Sequence, residues 1–181
     1  MQHKVDDKWN LELQPILRLN EDFGGYLNTS IDYAVHYSFT PNWKIRLLGR
    51  TWSVPDRTDR QMIWLDLTHA SRFSKLPLQW TNRMRMHLAL NLGGLLDRDF
   101  IRYRSQFQIT QWKAIRPVFG TELWFQTEAQ QALTRYRIEL GCILPMGNGR
   151  SFLLLWHREN NVNIAQPFGD NLWWVIYRFS I

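Results

Sequence analysis

From Trp9 to Leu19 every second residue is apolar (Trp9, Leu11, Leu13, Leu17 and Leu19, with Pro15 between), while Asn10, Glu12, Gln14, Arg18 and Asn20 point the other way. Period-two alternation marks a β-strand, whose successive side chains leave on opposite faces. The pattern returns in ten segments, at approximately 8–20, 26–39, 43–53, 60–73, 76–92, 100–112, 115–126, 132–144, 150–159 and 171–181. Tight, turn-rich connections at 40–42, 74–75, 113–114 and 145–149 read as hairpins. They alternate with longer polar ones at 21–25, 54–59, 93–99, 127–131 and 160–170. An even number of antiparallel strands, with short turns at one end and longer loops at the other, is the layout of an outer-membrane barrel. Both termini then fall at the short-turn end.

The apolar parity carries Trp9, Phe39, Trp43, Phe73 and Phe179 near the short turns, and Phe23, Tyr26 and Phe125 near the longer loops. Between them lies an aliphatic band of Leu47, Leu65, Met86, Leu88, Ile138 and Leu140. Two aromatic girdles around an aliphatic band fit a bilayer, because amphipathic rings favour the headgroup level. The opposite parity is charged. Arg83 with Arg85, Arg102 with Arg104, and Arg135 with Arg137 form three R-x-R pairs on three segments, joined there by Arg18, Arg46, Arg50, Arg72, Arg116 and Arg178. Glu12, Asp32, Asp66, Glu122 and Glu139 share that face. An apolar face this continuous would aggregate in water and would overfill a ten-stranded lumen. Lipid outside and charge inside resolves both objections; a two-sheet sandwich with its apolar faces packed together is the alternative.

The chain of 181 residues reads as one domain, 1–181, with no linker or low-complexity stretch. Its longest plainly apolar run, residues 152–156, is far short of the ~20 residues a membrane helix needs, whereas a spanning strand needs only ~9–11. The formal charge is +6, and of the 22 basic residues only Lys4, Lys8, Lys44, Lys75 and Lys113 are lysine. Arginine predominates where planar, multidentate pairing is needed in confined places. Because these arginines lie within strand alternation and not in a basic run, nucleic acid is not an expected partner.

Residues 1–7 lack the apolar run of a signal peptide, so either the protein is not exported or the sequence is that of a mature or recombinant chain, with Met1 native or added. Cys142 is the one cysteine and falls on the lipid-facing parity, where a thiol is inert. His36 and His87 face inward on segments that are not neighbours, His69 faces outward, and His3 and His157 lie near a terminus and a loop. No metal-ligand spacing or phosphate loop occurs, so no metal or cofactor is expected. The last segment alternates through Trp173, Val175, Tyr177, Phe179 and Ile181. It reads as a closing strand that pairs with the first, and it is similar to the terminal signal of assembled outer-membrane barrels.

Residues 9–23 (WNLELQPILRLNEDF), 100–104 (FIRYR), 122–125 (ELWF), 135–141 (RYRIELG) and 156–159 (WHRE) resemble the domain of unknown function 2490, a family of small outer-membrane-type barrels of Bacteroidetes-type bacteria. The resemblance runs over nearly the whole chain. It implies export and an outer-membrane location in a Gram-negative bacterium. It brings no established activity and no site residues.

The expected fold is therefore all-β: a ten-stranded antiparallel up-and-down transmembrane barrel with a polar, arginine-rich lumen. The candidate site is a lumen charge network of Arg83, Arg85, Arg102, Arg104, Arg135, Arg137, Glu122, Glu139 and Asp66. Charges in a narrow lumen are costly unless paired, so the first reading is a charge ladder that fills the barrel and fixes its register. Trp52, Met62, Trp64 and Trp124 fall on the inward parity near the long-loop end. They form a possible vestibule, though packing that closes the mouth is the plainer expectation. Three functions follow. The leading one is a non-enzymatic structural or accessory barrel, in contact with outer-membrane lipid and lipopolysaccharide and docked on a larger outer-membrane complex. The second is a narrow anion-preferring pore, since rings of arginine select anions. The third is a rim enzyme acting on lipid or peptide, for which Asp97, Asp99 and Asp170 offer no convincing histidine partner.

Overall fold

The computed structural model of the chain describes residues 2–19, 26–53, 60–88, 100–126, 133–147, 150–162 and 169–178. These contain eleven strands and no helix: β1 (Gln2–Lys4), β2 (Trp9–Leu19), β3 (Tyr26–Ser38), β4 (Trp43–Ser53), β5 (Arg60–Arg72), β6 (Leu78–Leu88), β7 (Phe100–Ile109), β8 (Arg116–Gln126), β9 (Leu133–Gly147), β10 (Arg150–Asn161) and β11 (Gly169–Arg178). Each strand from β2 to β11 pairs antiparallel with its sequence neighbours. β11 also pairs with β2, from Trp173 opposite Leu19 to Ile176 opposite Ile16. Because β3 occupies the other edge of β2, the sheet closes on itself as a ten-stranded antiparallel barrel.

Two features depart from the sequence expectation. The three-residue β1 is too short to carry an alternation signal. It folds back along β2, with Gln2 opposite Glu12 and Lys4 opposite Asn10. The Asp6 carboxylate makes that reversal by accepting the Lys8 and Trp9 backbone N–H groups, each at 2.7 Å. β9 continues through Pro145 to Gly147, where a turn was expected. The register slips between Arg150 and Ser151 on the facing strand, and such irregularities tolerate a proline that cannot donate to the ladder. Gly147 then takes a φ of 76°, in the region that favours glycine.

Short-turn chemistry is clearest at residues 39–42. The Thr40 hydroxyl accepts the Asn42 N–H at 3.3 Å and the Trp43 N–H at 3.0 Å, closing the β3–β4 hairpin around Pro41. The long connections, with Phe23, Asp97 and Asp99 on them, lie outside the described residues, as does Phe179.

The wall has two chemically different sides. On β4, Leu47 is 50% exposed while Leu48 beside it is 0% exposed, and Arg46 and Arg50 turn inward with Leu48. Large apolar side chains stand out in the same way on β2, β3 and β4 and again from β6 to β9, for example Leu13, Ile31, Met86, Tyr103 and Leu140. Towards the short-turn end they become aromatic. Trp9 packs on Tyr37, Trp43 lies against His69, and Trp80, Phe107 and Phe119 stack in a row across β6, β7 and β8. Such cross-strand pairs are the unit of sheet stabilisation.

The inside is mixed, which the alternation did not foretell. Ile16, Val118, Leu153, Leu155 and Ile176 form an apolar cluster, with Ile143 and Trp174 against it. The run at residues 152–156 is apolar on both parities, so Leu153 and Leu155 turn inward there. Ala34, Leu48 and Trp64 form a second cluster with Met62. Charge occupies what is left between them.

Candidate functional site: the interior ion network

Nine strands, β2 to β10, contribute arginines or carboxylates at inward positions, and β6, β7 and β9 carry them at successive ones. On the β3–β4–β5–β6 side, Arg50 grips Asp32 through two parallel bonds of 2.5 and 2.7 Å. Arg85 grips Asp66 in the same way, at 2.6 and 2.8 Å. Both are the fork-on-carboxylate geometry that suits guanidinium groups. Arg46 reaches Glu12 at 2.8 Å and also lies 3.5 Å from Asp66, while His36 Nε2 lies 2.8 Å from Glu12.

On the β7–β8–β9–β10 side the carboxylates are shared. Glu122 accepts from Arg83 at 2.8 Å and from Arg137 at 3.1 Å. Glu139 accepts from Arg104 Nε at 2.7 Å and lies 3.6 Å from His157. Glu159 holds Arg137, and it accepts from Arg135 at 2.6 Å. Arg135 also donates to Asn161 at 2.8 Å.

Three of these bonds skip a strand: Arg83 on β6 reaches Glu122 on β8, Arg104 on β7 reaches Glu139 on β9, and Arg46 on β4 reaches Glu12 on β2. The second passes Gly120, which stands between Gln106 and Glu139 on the inner wall. A Cβ at Gly120 would lie 2.7 Å from the Ser105 carbonyl and 3.3 Å from Gln106 Cβ. The missing side chain leaves the room for these long arginines to cross.

Of the expected vestibule residues, Trp64 and Trp124 are buried, and each is a platform for cations. The Arg50 and Arg85 guanidinium carbons lie 5.0 and 4.8 Å from the Trp64 ring. Those of Arg102, Arg135 and Arg137 lie 5.1, 5.8 and 4.6 Å from the Trp124 ring. For the buried arginines, Arg50, Arg85 and Arg137, desolvated contacts of this kind are worth ~2 kcal/mol or more. Trp174 plays the same part beside Arg137 and His157, at 4.9 and 4.2 Å. The Trp52 side chain lies outside the described ones.

The structure thus brings the nine network residues named from the sequence into one interior, and adds Glu159, His157 and the Arg50–Asp32 and Arg46–Glu12 pairs. Glu159 and His157 were legible in principle, because the alternation Leu153, Leu155, His157, Glu159 continues to the end of β10. Arg72 is exposed. Cys142 is half-buried on the outward parity. Among the described residues no group of three His, Cys, Asp or Glu side chains is placed to hold a metal ion.

Two cavities follow the network. One of about 440 Å³ opens at the short-turn mouth, beside Asp7, Lys8 and Lys44. The other, of about 390 Å³, occupies the interior. They share Arg46, Arg83 and Arg104 in their walls. Together they contain eight arginines, at 46, 50, 83, 85, 102, 104, 135 and 137. Set against these are the interior carboxylates of Glu12, Asp32, Glu122, Glu139 and Glu159, and Asp66 of the first cavity. The enclosed network has more cations than anions.

The profile of the family described as a protein of unknown function (DUF2490) matches residues 1–166, so the chain belongs to that family. No curated protein and no solved structure matches it.

Proposed function

We propose that this member of the DUF2490 family spans a bacterial outer membrane as a structural or accessory barrel without enzymatic activity, its interior closed by a paired charge network. The observation that carries this reading is the inversion of the wall: half-exposed Leu47 outside, and Asp66, at 0% exposure, inside, next to Arg85. A water-soluble barrel of this size places its apolar face inward, and an exposed apolar band over β2–β4 and β6–β9 would be an aggregation surface in water. In lipid, the closed sheet satisfies every backbone group and the band meets acyl chains.

The interior supports a filled lumen in preference to an open pore. The network crosses it between two apolar clusters, and most of its arginines are tied to carboxylates. Near the long-loop end, where a rim enzyme would need converging reactive groups, Trp64 and Trp124 hold arginines. Outer-membrane lipid, lipopolysaccharide and a larger outer-membrane complex are the partners this placement implies.

Refolding tests both halves. The chain should need detergent or lipid to stay folded, and should migrate differently on a gel before and after heating. A folded, monodisperse protein in plain buffer would overturn the membrane reading. In planar bilayers the inserted barrel should be silent at high salt; steady unitary currents would replace the structural reading with that of an anion-preferring pore.

A further inference from the structure

Arg85 on β6 and Arg102 on β7 stand directly opposite each other, as do Arg83 and Arg104 one step along. Like charges at such positions are unfavourable unless each is neutralised. Arg85 has Asp66, Arg83 has Glu122 and Arg104 has Glu139. Arg102 has none. No carboxylate lies within ion-pair distance of it among the described residues, and its buried Nε has no hydrogen-bond partner. Its guanidinium lies over Trp124, 5.1 Å from the ring centroid, on the wall of the interior cavity. The ring holds that group in place but supplies no anion.

We propose that the interior cavity is a binding site for a small free oxyanion, of the phosphate, sulfate or carboxylate class, that completes the neutralisation of Arg102. A partly buried cation without an ion pair of its own is costly, and a bound counter-ion lowers the cost. The Nε of Arg102 is buried, so its terminal nitrogens face the cavity, and a planar guanidinium matches two oxygens of an oxyanion, which a spherical halide does not offer. The space suffices: the cavity of about 390 Å³ exceeds the ~30 Å³ share of one water many times over. Entry is from the short-turn mouth, whose cavity includes Lys44 and shares Arg46, Arg83 and Arg104 with the interior one. That mouth also holds Asp6, Asp7 and Asp66, but Lys8, Lys44, Arg46, Arg83 and Arg104 outnumber them, and a net-positive approach raises the local concentration of anions. This binding is independent of whether the barrel conducts.

The test uses the whole chain refolded in a phosphate-free maltoside detergent. Inorganic phosphate or sulfate is titrated at constant ionic strength against chloride, with heat of binding and thermal midpoint as readouts. The expected result is saturable binding at one site, with a midpoint that rises with oxyanion concentration. Arg102→Gln should weaken the binding at least tenfold and abolish the midpoint rise, each measured against the variant's own midpoint without oxyanion, since it also loses the contact with Trp124. Should that variant fail to refold, Arg102→Lys keeps the charge and removes the fork, and its preference for oxyanion over chloride should disappear. Exposed Arg72→Gln should bind as the parent does. Binding no different from chloride, or unchanged oxyanion binding in the refolded Arg102 variants, overturns the proposal.

Discussion

The ring of Tyr33 on β3 covers Gly49, its direct partner on β4, so closely that a Cβ built on Gly49 would collide with the ring. An aromatic laid over a cross-strand glycine restores the packing that the glycine lacks. Tyr33 is at the outer wall, and the atoms in conflict are the free end of its side chain, so it can swing aside. Gly49→Ala should therefore cost only ~1 kcal/mol, and less still in a Tyr33→Ala background. Gly120→Ala should cost more, ~2–3 kcal/mol, because the obstacle there is the Ser105 backbone carbonyl. Urea unfolding of the two variants in detergent would check the order; equal costs would contradict it.

Shared carboxylates should matter more than peripheral ones. Glu122 is buried and accepts from two arginines, so Glu122→Gln leaves buried cations without their counter-charge, at a cost of ~3–5 kcal/mol. Arg135 has a side chain 40% exposed, and its bond to Glu159 is screened by solvent. Arg135→Gln should cost ~1 kcal/mol or less. Unfolding midpoints compared at low and high salt separate the two, since only the second should change with salt.

A substitution at Leu47 distinguishes lipid from water on the outer wall. If the band is lipid-facing, Leu47→Arg should destabilise the barrel in bilayers by ~2–4 kcal/mol, with a smaller effect near the girdles. On a soluble protein the same change at a half-exposed leucine would be neutral or helpful. Refolding yield into liposomes, measured alongside a Lys44 variant at the short-turn end, is the readout.

Trp124 supports three guanidinium groups and is 2% exposed. Trp124→Leu should cost ~3 kcal/mol through lost volume and lost cation contacts. Trp9→Leu, at 44% exposure on the outer wall, should cost far less. Calorimetry of both variants would show whether the interior tryptophan is the stronger anchor.

Strand positions were legible because alternation is a local property. The segment read as 43–53 is β4 to the residue, and that read as 60–73 is β5 with one residue fewer. The errors have local causes too. Pro145 reads as a breaker but is accommodated beside a register shift, and β1 holds too few residues for any period. Parity also told which arginines share a face.

The amino-acid sequence by itself determined the all-β class, the antiparallel order, the apolar parity of the wall and the surplus of arginine on the other parity. Each of these follows from neighbours along one strand. Tertiary structure decided which charges meet: Arg83 with Glu122 and Arg104 with Glu139 each cross an intervening strand, a reach set by the closure and register of the whole sheet. It also decided that Leu153, Leu155 and Ile176 share the inside with those charges. Arg102 is left without an ion pair for the same reason: Glu122, on the neighbouring strand, is bonded to Arg83 and Arg137, and no single strand records that.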